Sequence, residues 1–341
     1  MKRYLSFIFV FTILSNLYAQ DIHFSQMKFS PLTVNPSNTG LNGKYNAIVN
    51  FRSQWNSVST PFTTLGASFD MNFGAERNKK GFFAAGVNFF HDIAGDLKMT
   101  TSNVNLNLAY HIRLNEENTL GLGVQSGYGS RGLGSVDGLY ASQYNGDILD
   151  PSIVSGEQFG RMNFGFFELG SGLVYQHNSM SQSSFSAEGF KLTAGVSAYH
   201  LTKPNYSFLE GGSDDLSMRF VGFVETEFDL NQRWGLMPAA YYQRQGTHQE
   251  IYLGTYIKYN IIQASNRTGF VDGLFIAYGP FYRFGDAFVN KLLIDYKGYA
   301  LGISYDVNLS SLTRSSNGRG GIEFMFRYSF NEERGTRSRI N

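Results

Sequence analysis

The stretch Tyr299-Ala300-Leu301-Gly302-Ile303-Ser304-Tyr305-Asp306-Val307-Asn308 alternates without a break. Tyr299, Leu301, Ile303, Tyr305 and Val307 share one parity; Ala300, Gly302, Ser304, Asp306 and Asn308 share the other. After a polar turn at 313–319 the pattern resumes. Ile322, Phe324, Phe326, Tyr328 and Phe330 oppose Gly321, Glu323, Met325, Arg327 and Ser329. Successive side chains of a strand point to opposite faces, so this is a hairpin. One face is aromatic and aliphatic, the other small, polar or charged. What each face meets decides the fold.

The same alternation recurs along the chain at 45–52, 64–73, 102–112 and 119–130, with an aromatic run at 81–91. Further strands are expected at 162–176, 189–201, 216–229, 233–245, 249–260, 270–283 and 287–297, the last two with poor alternation. With the closing hairpin this makes about fourteen strands, an even number that suits a bacterial outer-membrane barrel. No segment carries a 3.6-residue period. In a soluble sandwich the apolar parity would pack inward; in a membrane barrel it meets lipid and the polar parity faces the lumen. The polar parity is rich in Gly, Ser and Asn and poor in Lys and Glu, unlike a solvated face. Tyr and Phe gather near strand ends, as aromatic girdles do. The reading is an all-β chain forming a transmembrane antiparallel β-barrel. Longer loops at 131–160, 177–188 and 202–215 are expected on the outer side, with short turns such as 116–118 on the periplasmic side.

The N-terminus agrees. Lys2 and Arg3 precede an apolar run over 5–14 and then Leu17-Tyr18-Ala19, which reads as a secretory signal cut after Ala19. No other stretch approaches the ~18 apolar residues of a membrane helix. The expected organisation is a signal peptide at 1–19, a turn-rich pre-strand or plug segment at 20–44, the barrel at 45–330 and a charged tail at 331–341. The strand ending at Phe330 resembles the terminal strand by which assembly machinery recognises outer-membrane barrels; the tail beyond it departs from that pattern. Of 341 residues, 16% are charged, and the net charge is +1. That balance gives no case for nucleic acid. The chain has no cysteine, which excludes disulfides and thiolate metal sites.

Catalytic motifs are missing. The histidines at 23, 91, 111, 177, 200 and 248 have no metal-ligand spacing. Ser171, in Gly170-Ser171-Gly172, lies mid-strand rather than on a nucleophile elbow, and reads as one of a run of small lumen-facing residues. His111, on the lumen parity, is the one candidate base, and no nucleophile pairs with it. Gly121, Gly123, Gly127 and Gly129 share a parity, which suggests close approach by something inside the barrel. Asp147 and Asp150 could hold calcium, but a solvated loop explains them. Arg52, Asp70, Glu250, Lys258, Asp306, Glu323 and Arg327 form a mixed-sign lumen set, joined by Glu168 and Glu225. They pair with each other, line a path or hold a plug.

Three stretches together resemble the PorP/SprF family of type IX secretion system membrane proteins of Bacteroidota. The first runs from Gln20-Asp21-Ile22-His23-Phe24-Ser25-Gln26 through Asn35-Pro36 and Gly40 to Phe51-Arg52-Ser53-Gln54-Trp55, then Pro61-Phe62-Thr63-Thr64 and Ala67-Ser68-Phe69-Asp70. The second is Gly195-Val196-Ser197-Ala198-Tyr199-His200-Leu201-Thr202-Lys203-Pro204-Asn205. The third is Gly302-Ile303-Ser304-Tyr305-Asp306-Val307-Asn308-Leu309-Ser310, followed by Gly321-Ile322-Glu323. Trp55-Asn56 replaces the family's usual tryptophan-proline. The resemblance implies a non-enzymatic, cofactor-free outer-membrane protein of secretion and gliding. Its implied partners are outer-membrane lipid, other type IX components and a secreted surface protein with a C-terminal sorting domain, whose export and attachment it assists. A channel for small or hydrophobic solutes is the alternative. Segment 23–40 is expected at the periplasmic mouth or in the lumen. The candidate partner or plug contacts are His23, Phe24, Gln26, Asn35, Pro36, Arg52, Trp55, Asp70, Gly121, Gly123, Asp306, Glu323 and Arg327.

Overall fold

The alternating stretches form fourteen antiparallel strands: β1 Tyr45–Gln54, β2 Phe62–Phe73, β3 Gly81–Ala94, β4 Met99–Arg113, β5 Asn118–Leu133, β6 Asn163–Asn178, β7 Phe190–Tyr199, β8 Arg219–Asp229, β9 Trp234–Gln245, β10 His248–Ile262, β11 Leu274–Arg283, β12 Ala287–Tyr296, β13 Tyr299–Asn308 and β14 Arg319–Phe330. The computed structural model describes residues 21–330 apart from 57–59, 76–77, 135–139, 157–160, 180–188, 210, 213, 263–272 and 311–312. The expected signal peptide and charged tail lie outside the described residues.

Each strand pairs with its sequence neighbour, and β14 returns to β1 to close a barrel. The closing register sets Tyr45 against Phe330 and Gln54 against Gly321. Closure follows from the medium, because an open edge in lipid would leave backbone groups without partners. Strands of 10 to 16 residues meet the ~9–11 that a tilted strand needs to cross. Among the described residues no helix is long and apolar enough to cross a membrane.

Burial inverts the soluble pattern. On β4, Val104, Leu106, Leu108, Tyr110 and Ile112 are exposed while Asn103, Asn105, Asn107 and His111 are buried. The opening hairpin behaves alike: Leu301 is 57% exposed and Asp306 only 3%. Tyr45, Phe69 and Phe330 stack at one rim, beside Tyr299 and Tyr328, as interfacial aromatics do.

One expectation is explained and two change. β11 and β12 alternate poorly because both faces are apolar. Ile276, Tyr278, Leu292 and Ile294 point outward, while Ala277, Phe281, Val289 and Leu293 are buried inward. Ser171 stands on the outer parity with Leu169 and Leu173; its neighbours Gly170 and Gly172 are the inward ones. The loops also divide differently. Strict alternation puts the β5–β6 and β7–β8 connections at one mouth, but the β6–β7 connection at the other, where Tyr45 and Phe330 lie. The expected outer loop at 177–188 therefore belongs to this terminal mouth, and 180–188 lie outside the described residues.

The inward aromatics pack on residues 21–44, which are inside the barrel. Met27, Phe29 and Val34 join one core with Val221, Phe223, Tyr252, Tyr256 and Phe281. This segment is not wholly irregular: it has 3₁₀ turns at Met27–Phe29 and Pro36–Asn38 around the short helix α1, Pro31–Val34. A charge placed on the outer face should therefore be costly. Leu108→Arg should lower stability in bilayers by about 2–4 kcal/mol, the range for a mid-membrane cation on the lipid face. Denaturant titration in vesicles measures it, and an unchanged midpoint would argue against a lipid-facing β4.

Candidate functional site: the lumen and its plug

Residues 21–44 cross the lumen from the far mouth to the terminal mouth. Asp21 sits at the far ends of β7–β9, where it accepts from Gln245 (3.2 Å), lies 2.6 Å from His200 and pairs with Arg219 (3.2 Å). Gly40 sits at the terminal end of β2, donating its N–H to Asp70 (2.7 Å). Thr39 O is 2.8 Å from His111 Nε2, at the terminal end of β4.

Ser25 is the densest node. Its hydroxyl donates to Asp306 (2.8 and 2.9 Å) and accepts from Arg52 (2.5 Å) and Arg283 (2.8 Å). Its N–H donates to Glu323 (2.7 Å), as does the N–H of Gln26 (3.1 Å). Its carbonyl accepts from Tyr252 (2.8 Å). Arg52 also pairs with Asp306 (2.9 Å) and Glu323 (3.3 Å), and Arg283 with Glu250 (3.5 Å). Hydrogen bonds to ionised groups are the strong ones, about 1.5–3 kcal/mol each.

The middle of the plug is held by Asn35. Its Nδ2 donates to the carbonyls of Leu173 (2.9 Å) and Val196 (3.1 Å), and its Oδ1 accepts from the N–H of Ser37 (2.9 Å). Asn35 reaches wall carbonyls because Gly172 and Gly195 carry no side chain; a Cβ on either would collide with its amide. Gly123 likewise admits the Pro36–Ser37 backbone, and Gly302 admits the Gln26 amide. The inward side of β7 continues the contact. Ser197 donates to Val34 O (2.7 Å) and Tyr199 to Leu32 O (3.1 Å).

The other sequence candidates fall as follows. His23 lies 3.4 Å from Glu250, and the Phe24 ring occupies the space above Gly66. Arg327 pairs with Asp295 and covers the Phe29 ring. Gly121 faces His111 rather than the plug. Trp55 packs edge-on against Phe62 at the β1–β2 connection, apart from the plug contacts. Sequence reasoning did not single out Ser25, Tyr252, Arg283, Gly195, Ser197, Tyr199 or His200. The small residues at 195 and 197, on one parity of a quoted stretch, were the available signal.

Among the described residues no group of three or more His, Asp or Glu side chains could hold a metal. Asp150 instead accepts from the N–H and hydroxyl of Ser152, and Asp147 donates its N–H to Asn145. His111 stacks on Phe82 and contacts Thr39, with no nucleophile hydrogen-bonded to it among the described residues.

A family model described as "Type IX secretion system membrane protein PorP/SprF" matches residues 16–328. Among curated proteins none matches the sequence. Among solved structures, the Ralstonia pickettii toluene transporter TbuX aligns at TM-score 0.46 and 11% identity, over 89% of this chain and 94% of that one. The Pseudomonas putida toluene transporter TodX gives 0.43 and 8%, over 90% and 93%. A Pseudomonas aeruginosa FadL homologue gives 0.42 and 11%, over 87% and 93%.

The clasp at Asp21 titrates. Burial alone would lower the pKa of His200, but Asp21, and then Glu168 at 2.7 Å, more than offset it and raise it to about 9. Asp21 is itself raised by burial but pulled well below the usual carboxylate range by His200 and Arg219. A raised histidine stabilises fully below its unfolded value of 6.5 and stops doing so as pH climbs through about 9. The depressed carboxylate stabilises above 3.8 and fails only in strong acid. Proteolysis within 21–40 should therefore accelerate between about pH 7 and about pH 10, and His200→Gln should remove that step. A rate flat across that interval in the unsubstituted protein would contradict the clasp.

Proposed function

From its membership of the PorP/SprF family of type IX secretion system membrane proteins, to which the chain belongs, we propose that this outer-membrane barrel is a plugged, non-enzymatic scaffold. On this reading it assists export of a secreted surface protein with a C-terminal sorting domain and attaches that protein to the cell. The observation that carries the reading is the filled lumen: segment 21–44 is bonded to β1, β2, β6–β11, β13 and β14. A conduit would need that segment to leave, breaking its hydrogen bonds to Asp70, Asp306 and Glu323 and exposing its apolar contacts with the wall. A scaffold gains rigidity from it.

Orientation follows from the loops. Outer-membrane barrels place short turns in the periplasm and longer loops outside. The two longest connections, β5–β6 with 29 residues and β7–β8 with 19, share the far mouth, whereas those of the terminal mouth have at most 11, in β6–β7 and β10–β11. The terminal mouth is thus periplasmic and the far mouth extracellular, so the clasp at Asp21 lies at the outer rim. The mature N-terminus, read as Gln20, would emerge beside it.

Deleting the gene should abolish surface display of one cognate secreted protein, while the purified barrel in planar bilayers passes little current. Normal display of every type IX substrate would defeat the scaffold reading. Sustained ion-conducting steps from the intact protein would favour the solute channel instead.

A further inference from the structure

The connection between β7 and β8 bends over the far mouth instead of standing away from it. Tyr206 and Phe208 pack edge-on against Phe164, and Tyr206 also against Phe166. Both phenylalanines share the inward parity of β6 with Glu168. Arg131 stands on the inward parity of β5 with Gly127 and Gly129. Its guanidinium lies 4.0 Å from the centre of the Tyr206 ring and 5.0 Å from that of Phe208, and it donates to Tyr206 O (3.3 Å). Arg161 adds a bond from its N–H to Phe208 O (3.0 Å) and one from its guanidinium to Ser207 O (3.2 Å). A cation between two aromatic faces, partly out of water, makes a latch.

The connection has a rigid stem. The N–H of Tyr206 donates to Asp214 O (2.8 Å) and that of Leu216 to Pro204 O (2.9 Å), and Asn205 pairs with Asp215 between them. A body tied in this way lifts only by turning about its two feet, 200–203 and 217–219.

Both feet are fixed through one carboxylate of the plug. In the first, His200 and Lys203 are left-handed (φ 56° and 45°) and are joined by a bond from Lys203 N–H to His200 O (3.0 Å). Such a backbone costs about 1–3 kcal/mol for a residue other than glycine and persists only where its surroundings hold it. The His200 ring is held 2.6 Å from Asp21 and 2.7 Å from Glu168. In the second foot, Ser217 O accepts from Gln245 Nε2 (3.3 Å), the amide that also donates to Asp21 (3.2 Å). Arg219 reaches the same carboxylate at 3.2 Å and donates to Thr33 O (3.0 Å) farther along the plug.

We propose that the β7–β8 connection is a latched lid over the far mouth, and that its opening is coupled through Asp21 to release of the first residues of the plug. With the clasp made, the left-handed foot is held and the lid stays down. With the clasp broken, His200 loses the partner that holds its strained backbone, and the foot relaxes. The coupling is reciprocal, so whatever keeps the lid raised weakens the hold on Asp21 by the same factor.

Spin labels test this, because the chain has no cysteine of its own. Three single-label proteins are reconstituted in lipid nanodiscs. Leu209→Cys reports the lid, Ile22→Cys the start of the plug, and Leu114→Cys the opposite mouth. Each is measured alone, with Arg131→Met, which breaks the latch, and with Asp21→Asn, which keeps the size of the clasp residue and removes its charge. Each substitution should raise the ratio of mobile to immobile signal at least about fivefold at both 209 and 22, the low end of ordinary coupling between sites. The label at 114 should not change. A lid label unmoved by either substitution, or a plug label unmoved by Arg131→Met, would overturn the proposal. Loosening at 114 as well would also overturn it, by showing general loss of the fold rather than a coupled lid.

Discussion

Ser25 is the residue on which the interior depends. Around it stand Arg52, Arg283, Asp306 and Glu323, each at most 3% exposed. Ions removed from water are tolerated only when paired and fully hydrogen-bonded; leaving one uncompensated costs about 3–5 kcal/mol. Here the wall pairs the charges with one another, but the plug supplies further hydrogen bonds to their carboxylates. Glu323 takes the N–H groups of Ser25 and Gln26, and the Asp306 carboxylate takes the Ser25 hydroxyl. Arg52 comes from β1 and Glu323 from β14, the strands that close the barrel. The N-terminal segment thus satisfies charges that straddle the closing seam, which ties plug docking to barrel closure.

The lumen is built in two halves for the same reason. On β3–β5 the inner face is amide-rich, and Asn88, Asn107 and Gln125 bond to one another. On β8–β12 it is largely apolar, because Met27, Phe29 and Val34 pack there. Burying those side chains against Phe223, Tyr252 and Phe281 removes apolar area from water at about 25 cal/mol per Å². Lys291 lies in this half, 3.6 Å from the centre of the Phe281 ring, so aromatic faces solvate a cation that has little water. The segment is held by polar clamps at Ser25 and Asn35 and by an apolar surface between them.

Much of the barrel was legible because lipid imposes one simple rule on the outer parity. Leu301, Ile303, Phe324 and Phe326 obey it without exception, and counting such runs yields the fourteen strands. The inner parity follows no such rule, since it answers to whatever fills the lumen. That is why β11 and β12 read poorly, with Phe281 and Val289 facing inward on strands that are also apolar outside. It is also why Ser171 is misread from its glycine neighbours alone. Arg52, Asp306 and Glu323 could be picked out as unusual charges at strand positions. Ser25 could not, since a serine in a turn-rich segment is unremarkable until its partners, some 250 or more residues away in sequence for Asp306 and Glu323, are brought to it. The stretches that carry the family resemblance converge on the plug and its wall: Ser25 and Asn35 from the first, Gly195 to His200 around Asn35 and Asp21 from the second, Gly302, Asp306 and Glu323 around Ser25 and Gln26 from the third.

The account stands or falls on whether segment 21–44 is part of the folded barrel. Amide hydrogen exchange of the full-length protein in lipid nanodiscs measures this directly, because exchange reports the opening free energy of each region. The account predicts that Ser25, Gln26 and Ser37, whose N–H groups are buried on Glu323 and Asn35, exchange as slowly as the central residues of β13 and β14. Exchange of these amides within seconds, with the strands still protected, would show a segment that merely visits the lumen and would contradict it.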